Sequence, residues 1–332
     1  MTVHDIEQLS TADVHERYPY FVDFFSSFGL TLPADDTTIA QYLTSLDPDM
    51  LLDLGMSQEQ IRVSFEEFAM AMVTLEQPAD KVTSLTIIGG INKGGQAENL
   101  ELTLTPGEVI CIVGPTGSGK SRLLADIEWV AQGDTPTRRQ ILINGAVPDS
   151  KWRFSTEHKL VAQLSQNMNF VMDVTVEEFV RMHAESRLVS DPDAVTERII
   201  DQANRLAGEQ FRPDTPVTSL SGGQSRALMI ADMALLSKSP IVLIDEIENA
   251  GIDRKKALEL LVKEEKIILM ATHDPILALM GDKRLVIANG GIASIITSSD
   301  GERKNLAALE ELDNTLLALR NRIRAGETLE TL

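Results

Sequence analysis

Helical spacing dominates the first quarter of the chain. After the Tyr18-Pro19 break, Tyr20, Phe21, Phe24, Phe25 and Phe28 recur three to four residues apart, which places them on one helix face. Leu30-Thr31-Leu32-Pro33-Ala34-Asp35-Asp36 reads as a loop before a helix starting near Thr37, and a further helical run over Ile61–Leu75 is stopped by Pro78. Beyond it the period changes. Short β-branched apolar runs alternate with helical segments, as in parallel α/β sheets. Val109–Val113, Ile241–Ile244 and Ile267–Ala271 read as buried strands, while Arg284–Ile287 and Ile292–Ile296 either continue the sheet or pair as a hairpin around Asn289-Gly290-Gly291. A last helix, about 304–324, lines up Leu306, Leu309, Leu312, Leu316, Leu319 and Ile323 on one face, to dock on its own domain or, alternatively, to form a dimerising seam. The pattern predicts a small all-α domain over residues 1–78 followed by an α/β domain over 79–332.

Composition sharpens this division. The formal net charge of the 332 residues is −20, which argues against a nucleic-acid partner, since phosphate contacts require a basic surface. Residues 1–80 hold fifteen Asp and Glu against only Arg17 and Arg62, so −13 of that −20 sits there, together with all three tyrosines and six of the ten phenylalanines. The aromatic stripe suits a small core, and the acidic excess suits a solvated face or a basic protein partner. No apolar run is long enough to span a membrane, the first residues do not resemble a secretory signal, and Cys111 is a lone cysteine. A soluble, reducing, cytoplasmic setting is expected.

The chemistry lies in the second domain. Gly114-Pro115-Thr116-Gly117-Ser118-Gly119-Lys120-Ser121 fills the pattern G-x-x-x-x-G-K-S/T between the predicted strand and a helix over Ser121–Ala131, with Arg122 next to it. Glycines let successive N–H groups face phosphates, the helix N-terminus favours anions, Lys120 neutralises β/γ oxygens, and the Ser121 hydroxyl suits Mg²⁺. A glycine-rich turn without ligand is the bland alternative. Ile241–Ile244 ends in Asp245-Glu246: the first carboxylate suits Mg²⁺, usually through water, and the second suits a γ-phosphate and its attacking water. Ser221-Gly222-Gly223-Gln224 is a further turn entering a helix, alone no more than a common cap.

Taken together these motifs resemble the ATP-binding cassette (ABC) ATPases, from about Lys81 to at least Ser298. The resemblance implies a P-loop cassette with a mixed sheet core, a helical insert about 174–225, ATP as substrate and Mg²⁺ as cofactor. It implies that Ser221, Gly222, Gly223 and Gln224 form the signature motif, touching the ATP of the opposite subunit in a head-to-tail dimer. Gln166, which spacing favours over Gln163, matches the Q-loop glutamine and a Mg²⁺ contact; His273 matches the switch histidine; Glu246 is the catalytic carboxylate. Within the insert, Glu177, Glu178, Arg181, Met182, His183 and Arg187 form a mixed surface, with His183 read as a surface residue.

Departures from the family are equally plain. Thr86–Glu98 carries no aromatic to stack on adenine, leaving Ile88 or Ile91 to pack on the base, and Asn249-Ala250-Gly251-Ile252-Asp253 is one residue longer than the usual D-loop. The N-terminal segment faintly resembles the small helical domain of iron–sulfur-cluster repair proteins, without their cysteines, and is read as a docking module. The expected function is therefore a soluble ABC ATPase that remodels or activates a protein partner, such as a metalloenzyme. The alternative is the ATPase subunit of a transporter with separate membrane subunits, peripheral to the membrane; a DNA-repair or ribosome-acting protein ranks third.

Overall fold

The computed structural model describes residues 2–53, 55–76, 81–149, 151–154, 159–164, 170–245 and 251–329, which form two compact units, Met1–Ala79 and Asp80–Leu332. Capping and aromatic packing build the first. Its helices are α1 (Val3–Glu7), α2 (Thr11–Arg17), α3 (Pro19–Ser27), α4 (Ile39–Ser45), α5 (Pro48–Asp53) and α6 (Gln58–Glu76). Thr38 starts α4 with a reciprocal cap, its Oγ1 accepting the Gln41 N–H at 3.2 Å while Gln41 Oε1 accepts the Thr38 N–H at 3.0 Å. Phe21, Phe25 and Phe65 are fully buried, and the Phe25 and Phe65 rings stack 5.3 Å apart. The predicted aromatic stripe is this core.

The second unit holds two sheets. Antiparallel β1 (Leu85–Ile88), β2 (Glu101–Leu104) and β4 (Gln140–Ile143) lie in the order β2-β1-β4. The larger sheet contains β3 (Val109–Val113), β5 (Val161–Leu164), β6 (Ile241–Asp245), β7 (Ile267–Ala271), β8 (Lys283–Ala288) and β9 (Gly291–Thr297), in the order β5-β6-β7-β3-β8-β9. All its neighbours are parallel except β8 and β9, so the two C-terminal runs both continue the sheet and form a hairpin. The central strands are buried on both faces, as apolar runs without alternation require. Helix α7 (Lys120–Glu128) follows β3, and a single turn, α8 (Lys151–Phe154), precedes β5. The helical subdomain comprises α9 (Val176–Ser186), α10 (Pro192–Leu206) and α11 (Gly222–Leu236), which pack on one another. His183 is only partly exposed there: its Nδ1 lies 2.8 Å from Asp232 Oδ1 on α11, and Arg187 Nε donates to its Nε2 at 3.3 Å. Helices α12 (Arg254–Lys263), α13 (Pro275–Met280) and α14 (Asp300–Arg324) complete the chain.

The expectation for the last helix holds over half its length. α14 packs on α13 and is tied to its own unit by Arg284–Glu302 and Arg254–Asp313 ion pairs, with Leu306 and Leu309 half-buried. Further along, Leu312, Leu316 and Ile323 are 62%, 52% and 58% exposed.

Cys111 lies inside β3, its thiol donating to the Leu277 carbonyl at 3.1 Å, and burial pushes its pKa up to about 12. A thiolate is therefore negligible at neutral pH. Native protein should resist a disulfide reagent such as dithionitrobenzoate and react only on unfolding; fast stoichiometric labelling of native protein would contradict this burial.

Candidate active site

The parallel register gathers the predicted residues at one sheet edge. Asp245 pairs with Ala271, and Ala271 with Ile112, so the carboxyl ends of β6, β7 and β3 are level. Neighbouring strands are about 4.8 Å apart, which sets Asp245 roughly 10 Å from the start of the phosphate loop. Thr272 is anchored in that row by donating its N–H to Ile112 O at 3.1 Å. Its hydroxyl accepts from Asp274 N at 3.0 Å, and Asp274 caps α13 and pairs with Arg254. His273, exposed between these two anchors, is carried at the same edge. Glu246 and Gln166 lie outside the described residues. Gln163 sits within β5, its amide 2.7 Å from Glu128 of α7 when the nitrogen faces that carboxylate.

The loop from Gly114 to Gly119 links β3 to α7, and its shape is set by close approach. Gly114 has φ 152°, and a Cβ there would come 2.4 Å from Ile287 O. Gly119, φ 113°, caps α7, and a Cβ on it would meet Gly290 Cα at 2.9 Å. Donors of the chain itself occupy the loop carbonyls: Lys120 Nζ on Gly114 O at 2.8 Å, Lys93 Nζ on Gly117 O at 2.8 Å, and Gly290 N–H on Ser118 O at 2.7 Å. With carbonyls engaged, the amides and the first turn of α7, including Ser121 and Arg122, are the groups suited to an anion. Strand, glycine loop and helix at the carboxyl edge of a parallel sheet define a P-loop nucleotide-binding protein.

Sequence reading missed the groups that hold this loop. Arg139, just before β4, is wholly buried, its Nε and Nη2 donating to both oxygens of Glu98 at 2.8 and 2.7 Å. Nη1 donates to Asp126 of α7 at 2.9 Å, and Nη2 also reaches Gly290 O at 2.9 Å. Burial works against the Glu98 carboxylate, but bonds from Arg139 and the Gly90 and Ile292 N–H groups, with the guanidinium charge, outweigh it and lower its pKa. One cation thus ties the three-stranded sheet, the loop's helix and the β8–β9 turn to the phosphate loop. Lys93 was equally unforeseen: it follows Ile91 in the loop that lacks an aromatic, and its backbone N–H donates to Asn289 O at 2.8 Å.

The third group of candidates lies on α11. Ser221 is its N-cap, with Oγ accepting from Gln224 N at 3.3 Å and Gln224 Oε1 accepting from Ser221 N at 2.9 Å. A Cβ on Gly222 would meet nothing within 4 Å, so the turn is open to an approaching group. Beside it, Gly251 lies 3.8 Å from Gly223 when given a Cβ, and Asp253 N–H donates to Leu206 O at 2.8 Å, so the described end of the 249–253 loop is held at this turn.

Comparison with known proteins identifies the class more closely. A family model described as ABC transporter matches residues 97–249. An uncharacterized ABC transporter ATP-binding protein of Methanocaldococcus jannaschii is 54% identical over 250 residues, which is 75% of this chain and 95% of that protein. The thiamine import ATP-binding protein ThiQ of Chelativorans sp. is 31% identical over 223 residues, 64% of this chain and 86% of that protein. Among solved structures, CbiO1 from Clostridium perfringens shares the fold, with a TM-score of 0.51 at 24% identity over 71% of this chain and 99% of that one. The chain belongs to the ATP-binding cassette family, and it binds and hydrolyses ATP.

Removing one partner of a buried charge pair strands the others. Arg139→Met should cost about 3–5 kcal/mol in a denaturant titration; a loss below about 1 kcal/mol would show that Glu98 and Asp126 do not depend on it. The acid side has a defined sign. Because native Glu98 titrates below its unfolded value of about 4.3, its contribution is complete above that value and is lost as pH falls through the native one. Stability should therefore fall less steeply below pH 4.3 in Glu98→Gln than in wild type, and parallel acid profiles would contradict this.

Proposed function

We propose that this ATPase is the nucleotide-hydrolysing subunit of a transport system whose membrane subunits are separate chains. The observation that carries it is the complete phosphate loop and open Ser221 turn in a chain that shares most of its length with ABC transporter ATP-binding proteins. Among the described residues no helix is long and apolar enough to cross a membrane, so transport would require a membrane partner. In this reading two copies close head to tail around ATP on the cytoplasmic side of the membrane.

Lys120, leaving its loop carbonyls, neutralises the β/γ oxygens, while the loop N–H groups from Thr116 to Arg122 position the triphosphate. Ser121 and Asp245 are hard oxygen donors at one sheet edge, a set that fits Mg²⁺ completed by water and phosphate oxygens, with Gln166 a further ligand. When bound, the ion would neutralise developing charge on the phosphates. Glu246 orients and deprotonates the attacking water, and Gln166 and His273 respond to the γ-phosphate. Ser221, Gly222, Gly223 and Gln224 reach the nucleotide held by the second copy. Action on a soluble enzyme is the second reading, favoured by the acidic helical unit, whose 79 residues carry −12 of the −20. In either reading that unit is a docking module for protein.

Glu246→Gln should retain ATP binding while turnover drops by about 10²–10⁴-fold, and ATP should make its dimer persist in sedimentation on dilution to nanomolar concentration. Unchanged turnover would overturn the role of Glu246. Isolation of this ATP-loaded variant from its host tests the partner: a co-purifying membrane permease supports transport, and a soluble enzyme in its place supports the second reading.

A further inference from the structure

Among the described residues, the second half of α14 is an amphipathic stretch whose apolar face is largely exposed. Leu309, Leu312, Leu316, Leu319 and Ile323 follow the alternating three-and-four spacing of a coiled-coil seam. Leu312, Leu316, Leu317 and Ile323 are all about half exposed or more, although Arg284–Glu302 holds the first turn of the helix and Arg254–Asp313 its fourth. An apolar seam of this regularity on the outside of a rigidly attached helix calls for an occupant.

Charge along the helix selects that occupant. Glu310 and Glu311 lie at the start of the exposed stretch, beside Asp313, which Arg254 of the same chain holds, and Arg320 lies at its end, beside Arg322, which pairs with Glu327. A second copy running antiparallel would set the basic end of each helix against the acidic end of the other, and would oppose the helix dipoles. Parallel pairing would align like charges. We propose that the α14 helices of two chains pair antiparallel over Leu312–Ile323, with Leu312 opposite Ile323 of the second copy and Leu316 opposite its Leu319. The seam spans only three turns, so the pairing is weak by itself. It requires no nucleotide, and would hold two cassettes at high effective concentration for ATP-driven closure.

The full chain tests this without nucleotide, which separates it from the ATP-closed dimer: either can fail alone. Sedimentation at tens of micromolar should show a dimer for wild type and a monomer for Leu312→Glu/Leu316→Glu, with ATP affinity unchanged in the variant. Orientation is read from disulfides, for which buried Cys111 does not compete. Oxidising a mixture of Leu312→Cys chains and Ile323→Cys chains should join unlike chains. The two positions are about 16 Å apart along one helix, beyond the roughly 7 Å between Cα atoms that a disulfide spans, so a parallel pair would join only like chains. Disulfides only between like chains would overturn the proposal. So would a monomeric wild type, whether Leu312→Cys then proves protected from maleimide, as under a segment of the same chain, or freely reactive, as on a face awaiting another protein.

Discussion

One buried guanidinium holds the nucleotide-binding end of this protein together. Arg139 is inaccessible to solvent, and its bonds run to Glu98 beside the three-stranded sheet, to Asp126 on the helix after the phosphate loop, and to the carbonyl of Gly290. Gly290 in turn donates to Ser118 O, inside the loop itself. Desolvating a charge is expensive, and a compact apolar core could give similar stability without it. What apolar packing could not do is specify direction: a planar fork with defined donor angles sets three elements in one orientation. The glycines then follow from the closeness so imposed, since a Cβ on Gly119 would meet Gly290 Cα and one on Gly290 would meet the Lys93 side chain.

The remaining site rests on the parallel sheet. Asp245, Thr272 and the start of the phosphate loop lie at one edge because β6, β7 and β3 share a register and end together. The Asp274 cap and its pair with Arg254 connect this edge to α13 and α12, and Asp313 extends the connection to α14. The exposed half of α14 is thus attached through ion pairs to the segment that carries His273.

Legibility in the sequence tracked distance along the chain. The phosphate loop was readable because eight consecutive residues contain its whole mechanism, and β3, β6 and β7 because buried parallel strands are unbroken apolar runs. The four-residue strands β1, β2, β4 and β5 were not anticipated: β2 alternates exposed with buried positions and is too short to stand out. Arg139 gave no sign of its role, since it sits in the polar run Thr137-Arg138-Arg139-Gln140 and its partners are 41, 13 and 151 residues away. The α14 stripe reads as a face, but periodicity cannot say which chain covers it. Gln166 and Glu246 rest on motif spacing alone, as neither falls within the described residues.

The Arg139 network, built behind the phosphate loop, sets the shape of that loop. Glu98 tests it best, because its carboxylate meets Arg139 and backbone amides of Gly90 and Ile292. The measurement is the MgATP dissociation constant of Glu98→Gln by calorimetry at neutral pH, below its unfolding temperature. Binding should be weaker by about tenfold or more, roughly 1.4 kcal/mol. A dissociation constant equal to wild type in the folded variant would contradict it.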